Sequence, residues 1–512
     1  MPMDYWDHAP IEEIAIEVWE DESPAAQNGN PPDRPAGPPP KGVPSGLPTG
    51  GWREESDSVG TMRVPNDRFW GAQTQRSLEH FAIGDERMPL ALIHAYGQVK
   101  EATALANANL GVLEARKARA IAAAAREVAD GWLDGHFPLS VYQTGSGTHT
   151  HANVNEVIAH RASQILGGPV GVAAVVHPSD DVNRSQSTND TFVTAMHVAA
   201  VELLRSRTLP STAELTDELT AKAEAWAAVP KAGRTHLMDA TTLTVGQEWS
   251  GYVAALHAAR RHLIASLHDL QEVALGGTAV GTGQNAPEGF TALACHYLSE
   301  ITGHPFRPAF NAFAAQGTLD PLVRAHAALK SLAVTLYKIT NDVRWLGSGP
   351  DHGLNEVVFP QWEPGSTIMP AKVNPTQAES AMMACLQVLG ADTTVSMAGA
   401  EGNFELNAFR PIVISNFIRS GTLLADVSHG LSRYLVRGLE LSQRMADEAT
   451  QLDSVSLATA LAVHVGHERA AAIARTARAN HTDVMREARS AGVEESIIEA
   501  VRETVGHLRR VS

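Results

Sequence analysis

The sequence predicts a mainly helical chain built on a bundle of long helices, and three observations carry that prediction. Val245, Trp249, Tyr252, Leu256, Leu263, Leu267 and Leu270 recur at spacings of three, four and seven, the apolar stripe of an amphipathic helix. Leu322, Ala325, Leu329, Leu332, Leu336, Ile339, Val343 and Leu346 make an almost unbroken heptad seam, which at about 1.5 Å per residue spans roughly 37 Å. A seam that long needs other helices alongside it, so the bundle is expected to be completed by sister subunits. Finally, four polar turns interrupt long helices, at 143–156, 185–190, 233–239 and 365–379.

Bulk properties exclude several classes of function. A chain of 512 residues with a net charge of −17 offers no general surface for nucleic acid or an anionic membrane, though a local basic pocket still suits a small anion. Cys295 and Cys385 stand far apart in apolar helical surroundings, which points to structural thiols in a reducing compartment. Two cysteines cannot supply the three or four thiolates of an iron–sulfur cluster. No basic region followed by an apolar one stands at the N-terminus, and no run approaches the roughly 18 apolar residues of a membrane span. Neither a secretory signal nor a membrane segment is expected.

Taken in order, residues 1–50 divide into an acidic piece, Ile11 to Glu22, and a proline-rich one, Pro31 to Pro48. The second cannot form a ladder of backbone hydrogen bonds, and the head is expected to be a disordered extension. Alanine-rich helices follow from about Leu90 to Asp130. Gln143-Thr-Gly-Ser-Gly-Thr-His-Thr-His-Ala-Asn-Val-Asn-Glu156 then runs into a helix striped by Val154, Ile158, Ala162, Ile165 and Leu166. Hydroxyls and free N–H groups at such a helix start hold carboxylates, or simply cap the helix. Ser187, Thr188 and Asn189 stack three donors at the start of the next helix. Ser211 and Glu214 suggest a capping box for the one after, and Gly233 to Asp239 forms a third turn that carries His236. Gly276-Gly-Thr-Ala-Val-Gly-Thr-Gly283 lacks the Gly-Lys-Ser/Thr ending of a phosphate loop and reads as a close-packing turn. The last 60 or so residues read as a small separate domain with a solvated face of Arg and His.

The stretch Gly365-Ser-Thr-Ile-Met-Pro-Ala-Lys-Val-Asn-Pro-Thr-Gln-Ala-Glu379 concentrates the chemistry. It places a hydroxyl, an ammonium, a carboxamide and a carboxylate within fifteen residues, and Pro370 and Pro375 bar a helix through its middle. With His236 and the hydroxyls of the other turns, the set suits removal of a proton alpha to a carboxylate. That step needs a base, donors for two carboxylates and a cation for the aci-carboxylate that forms.

On Gly365 to Gln377, Ser185 to Asp190, Gly233 to Ala240 and Gly402 to Asn407, the chain from about Met62 to at least Arg475 resembles the fumarase/aspartase superfamily, nearest its metal-free class II fumarate hydratases. The resemblance implies a mainly α, three-domain chain whose subunits pool five-helix segments into a twenty-helix core in a homotetramer, with each site built from three chains. The implied divisions are an extension at 1–50, an N-terminal helical domain at 51–186, a central bundle at 187–445 with a catalytic loop at 363–379, and a small C-terminal domain at 446–512. It also implies reversible hydration of fumarate to malate, without cofactor or metal, in the cytoplasm and without nucleic-acid or membrane partners. By motif position Ser366 would be the base, Lys372 and Asn374 would bind the carboxylate that becomes the aci form, and His236 paired with Glu379 would handle the water or leaving hydroxyl. Ser146, Thr148, Ser187, Thr188, Asn189 and Thr235 would hold a small dicarboxylate, and His177 and Asp180 match part of a secondary carboxylate site.

Departures from the family pattern bear on substrate. His149-Thr-His-Ala-Asn153 stands where Gln-Ser-Asn-Met-Asn is usual, Met238 where Gln is usual, Ser179 for Asn, and Ala174 where a basic residue is common. Thr188 and Ala371 look like aspartases, whereas Gly145-Ser146, Thr376-Gln377 and Asn403 to Asn407 look like fumarases. An ammonia-lyase or another β-elimination of a substituted succinate is therefore the alternative, and a non-catalytic scaffold a remoter one. His149 and His151 lack a third ligand in the sequence, so a metal site is not expected there.

Overall fold

The computed structural model describes residues 46–48, 50–448 and 454–511; the acidic piece of the head, and the proline-rich piece up to residue 45, lie outside the described residues. The N-terminal part opens with a hairpin, β1 (Trp52–Asp57) and β2 (Gly60–Pro65), paired from Trp52↔Pro65 to Asp57↔Gly60. Helices α1 (Ala72–His80), α2 (Leu90–Asn109), α3 (Ala115–Ala129) and α4 (Thr148–Ile165) follow. Helix α2 packs on α3, and α4 packs on α1 and α3. Glu156 of α4 fixes one of these contacts. Its buried carboxylate accepts the backbone N–H groups of Gly71 (2.8 Å), Gln73 (2.9 Å) and Thr74 (3.3 Å) and the Thr74 hydroxyl (2.6 Å), closing the open N-terminus of α1.

The bundle runs through α5 (Thr188–Leu203), α6 (Leu209–Ala225), α7 (Val245–Leu270), α10 (Asp320–Leu346), α11 (Thr376–Ala400) and α12 (Arg410–Leu431), with α8 (Phe290–Thr302) and α9 (Ala312–Gly317) between. Helix α10 packs on α7 and α11, and α11 on α12. All seven stripe residues of α7 and all eight of the α10 seam are buried, and each leucine among them contributes about 2 kcal/mol of burial before ordering entropy is subtracted. Other faces are left uncovered: Ile264, Val334, Met383, Leu386 and Met397 stand exposed. By length and composition α11 passes as a membrane-spanning helix, against the sequence expectation, yet Ala378, Ala381, Cys385, Val388 and Val395 bury one side of it in the bundle.

Three local expectations are corrected. Ser211 and Glu214 form no capping box, because α5 passes through a π-helical turn at Leu204–Thr208 straight into α6 and leaves no end to cap; Glu214 bonds His429 at 2.9 Å instead. Helix α4 is not striped, being buried almost all round, while Ile165 is exposed. The turn at 233–239 belongs to a hairpin, β3 (Pro230–Thr235) and β4 (Met238–Thr244).

The C-terminal helices α13 (Gln443–Glu448), α14 (Ser454–Val465), α15 (His467–Asn480), α16 (Val484–Ser490) and α17 (Glu495–Val511) complete the order. Leu457, Leu461, Ile473, Met485, Ile498 and Val501 gather there in an apolar cluster separate from the main core. Helix α14 touches the bundle side through β4, where Ser456 Oγ accepts the Thr242 N–H at 2.9 Å.

Candidate active site

The loop before α11 is folded on itself. Gly365 is pressed so closely on the opposite strand of the loop that a Cβ there would lie 1.6 Å from the Lys372 carbonyl oxygen. Asn374 Nδ2 donates to the Gly365 carbonyl, and the Thr376 hydroxyl donates to Glu363. Within this clasp Ser366 Oγ accepts the backbone N–H groups of Met369 (3.0 Å) and Ile368 (3.4 Å). Two N–H dipoles aimed at a serine oxygen stabilise negative charge on it. Ala371 is held at φ 62°, a left-handed conformation that L-residues rarely adopt. Lys372 is exposed, and Glu379 is exposed in the first turn of α11, where the helix dipole favours a carboxylate. Only a small hollow, about 20 Å³, lies behind the loop, lined by Phe359, Trp362, Gly365, Val373, Asn374 and Tyr434.

The hairpin β3–β4 presents His236. Its two-residue turn consists of His236 (φ 57°) and Leu237 (φ 60°), both in the left-handed region that a type I′ turn demands and that Asn-Gly usually fills. The arms are anchored by charge: Lys231 Nζ, buried, meets Glu248 at 2.7 Å and Glu356 at 2.6 Å, and Arg234 pairs with Glu356. The tip is bare, with His236 and Thr235 exposed and Leu237 and Met238 63% and 64% exposed.

Ser146, Thr148, Ser187, Thr188 and Asn189 lie where the starts of α4, α5 and α12 meet. Gly147, the residue before α4, lies at φ 85° with the Phe192 ring where a Cβ would be. Ser146 and Thr148 hydroxyls touch at 2.8 Å at the open end of α4. Ser187 caps α5 in a true capping box with Asp190. Asp190 also accepts the N–H groups of Gly276 and Thr278, both at 3.0 Å, so the glycine turn packs here as the sequence suggests, with Gly277 against Gln316. Burial, opposed by those bonds, moves the Asp190 carboxyl up to about 6. Asn189 Nδ2 donates to the Ala279 carbonyl at 2.7 Å. Arg410 is fully buried and reaches the carbonyls of Thr188 (3.4 Å) and Gln316 (2.8 Å), tying α12 to α5.

His149 and His151 point apart. His149 meets the Ser77 hydroxyl of α1 at 2.9 Å, while His151 is buried between Lys100 and Thr188; the two rings do not converge on a common point. His177 Nδ1 accepts the N–H groups of Ser179 (3.3 Å) and Asp180 (3.1 Å). That lone pair is occupied, so its 3.2 Å approach to the Asp180 carboxylate is not a hydrogen bond. Both residues are exposed.

Among the described residues, no hydrogen bond or ion pair joins the Ser366 loop, the His236 hairpin and the Thr188 cluster to one another. The sequence reading missed Lys100, Asn183, Gln186 and Arg410. A lysine inside an alanine-rich helix and the arginine of Phe-Arg-Pro are the only local signals these residues leave.

Comparison with known proteins adds the following. The lyase family matches residues 60–390. The chain is 50% identical over 446 residues to a class II fumarate hydratase of Methanosarcina acetivorans, covering 87% of this chain and 92% of the relative. It is 52% identical over 425 residues to that of Thermosynechococcus vestitus, covering 83% and 91%. A crystal structure of a class II fumarase from Schistosoma mansoni superposes with a TM-score of 0.85 at 37% identity, over 88% of this chain and 99% of that one.

Proposed function

The chain belongs to the lyase family, among the class II fumarate hydratases, and from that premise we propose how its polar turns add water to fumarate reversibly. In the direction of dehydration, Ser366 Oγ takes the C3 proton of malate. The electron pair moves into the neighbouring carboxylate to give the aci form, which Lys372 and Asn374 hold. The C2 hydroxyl then departs as water with a proton from His236, oriented by Glu379, as the double bond closes. Ser146, Thr148, Ser187, Thr188, Asn189 and Thr235 bind the carboxylates.

The observation that carries this reading is the pair of backbone N–H groups on Ser366 Oγ, since an unassisted serine is a poor base at neutral pH. We further propose that each site is assembled from three chains of a homotetramer. That no hydrogen bond or ion pair joins the three groups among the described residues, and the uncovered apolar faces of α7, α10 and α11, support it. The separate C-terminal cluster supports a small C-terminal domain beside an N-terminal domain and a central bundle. A secondary carboxylate site at His177 and Asp180 and a cytoplasmic location complete the proposal.

Proton NMR of the enzyme with fumarate, with and without ammonium, tests the chemistry. Malate in both samples is the expected result. Aspartate formed only with ammonium overturns it in favour of an ammonia-lyase.

A further inference from the structure

Behind the Thr188 cluster lies a buried chain of polar contacts to which the mechanism assigns no role. Lys100, 0% exposed in the middle of α2, places Nζ 2.8 Å from His151 Nε2, 2.8 Å from Gln186 Oε1 and 3.3 Å from Asn183 Oδ1. The amide orientations are set independently. Gln186 Nε2 donates to the carbonyls of Arg184 (2.9 Å) and Val182 (3.2 Å), and Asn183 Nδ2 donates to the Gln186 carbonyl at 3.2 Å. Both amide oxygens therefore face Lys100 as acceptors. On its other side His151 Nδ1 lies 2.7 Å from Thr188 Oγ1, and the Tyr96 ring stacks on the imidazole at 5.6 Å.

Proton counting gives this chain a direction. An ammonium has three donors and no acceptor, matching the three acceptors around Nζ. His151 Nε2 then accepts. Burial and the Lys100 charge keep the imidazole neutral, its pKa well below the usual histidine range, so its single proton sits on Nδ1 and is donated to Thr188 Oγ1. The Thr188 hydroxyl, whose one hydrogen-bond partner among the described residues is His151, is left with its own proton free to give away. When Lys100 is an amine, its two protons serve Gln186 and Asn183 and its lone pair faces His151. The tautomer reverses, and Thr188 donates into the imidazole instead. Burial brings Lys100 down to about 7, opposed by Asp190 of α5. The other ionisable or charged groups facing the network are His151 of α4, Tyr96 of α2 and Arg410 of α12.

We propose that Lys100 and His151 are positioning residues that hold the Thr188 hydroxyl as a hydrogen-bond donor to the substrate carboxylate, and that loss of the Lys100 proton reverses that donation. The inference rests on the reading of Thr188 as a substrate contact.

The test is kcat and KM for malate from pH 6 to 9 on the full-length assembled enzyme and its Thr188→Ala, His151→Phe and His151→Asn variants. H151F cannot orient Thr188 and is expected to raise KM about tenfold, as T188A does, with kcat moved far less. Asparagine accepts from Lys100 through its oxygen and donates to Thr188 through its nitrogen, without a tautomer to reverse. The unsubstituted enzyme is expected to show a rise in KM above pH 7, and H151N is therefore expected to restore KM near pH 6 and to lack that rise. An H151F enzyme with unchanged KM beside a T188A enzyme with raised KM overturns the inference alone, as do superimposable KM profiles for H151N and the unsubstituted enzyme. An unchanged KM in T188A overturns the substrate-contact reading beneath it.

Discussion

The Ser366 hydroxyl oxygen accepts the Met369 backbone N–H at 3.0 Å. A serine so placed is held as an acceptor, with charge on its oxygen stabilised before substrate arrives. Replacing it with alanine removes the base and leaves the clasp formed by Asn374 and Gly365 intact. Ser366→Ala is expected to lower kcat by about 10²–10⁴-fold with the oligomer unchanged on a sizing column. Full activity in the fumarate hydration assay would remove Ser366 from the role of base.

Gly365→Ala tests the clasp itself. The added methyl has no room beside the Lys372 carbonyl, and both partners are backbone, so the loop has to open. Misplacing a catalytic group by about 1 Å costs on the order of a hundredfold in rate. The loop contributes little to the core, so G365A is expected to lose about that factor in kcat/KM while its thermal midpoint stays within a degree or two. A wild-type rate would mean that the clasp does not position Ser366.

His236→Asn leaves a residue that tolerates the left-handed turn at least as well as histidine, so the hairpin is retained while the imidazole is lost. The expected outcome is a fall in kcat of about 10²-fold or more with an unchanged far-ultraviolet dichroism spectrum. An unaltered rate takes His236 out of the proton transfers.

These sites differ in how legible they were. The α7 and α10 seams could be read because burial imposes a helical period on leucines that lie close in the chain. The Ser366 loop could be read because two prolines and a glycine announce constrained backbone. The hairpin could not: Thr-His-Leu-Met carries none of the Asn-Gly chemistry that marks a two-residue turn, and the anchored arms, not the turn residues, enforce its shape. The α6 capping box failed because Ser211 and Glu214, which look like a helix start, also fit a helix that continues through a π-helical turn. Lys100 stayed hidden because its partners lie 51 to 86 positions away, and no local pattern encodes such a contact.

Cys295 and Cys385 are buried, and burial pushes both thiols up to about 12. At pH 8 neither presents a thiolate or a path to a reagent. A colorimetric thiol reagent is expected to find no reactive group in the native enzyme and two after denaturation. Rapid native labelling with loss of activity would contradict the burial.

Acid lability is the last expectation, and it follows from two buried histidines. Burial lowers His136 and His197 to about 4 each; His136 accepts the Phe69 N–H at 3.1 Å, and His197 donates to the Glu272 carbonyl at 2.9 Å. In the unfolded chain each titrates near 6.5, so between pH 6.5 and 4 the unfolded state binds protons that the native state refuses. Each histidine's contribution is whole above 6.5 and declines as pH falls toward 4. At pH 5 the difference amounts to at most about 2 kcal/mol per histidine. The urea midpoint is therefore expected to drop from pH 7 to pH 5. His197→Asn keeps a donor for the Glu272 carbonyl and binds no proton, and it should flatten that drop by up to the share of one histidine. A midpoint that holds steady across this range, or an H197N slope equal to that of the unsubstituted enzyme, would show that these rings take up their protons without unfolding.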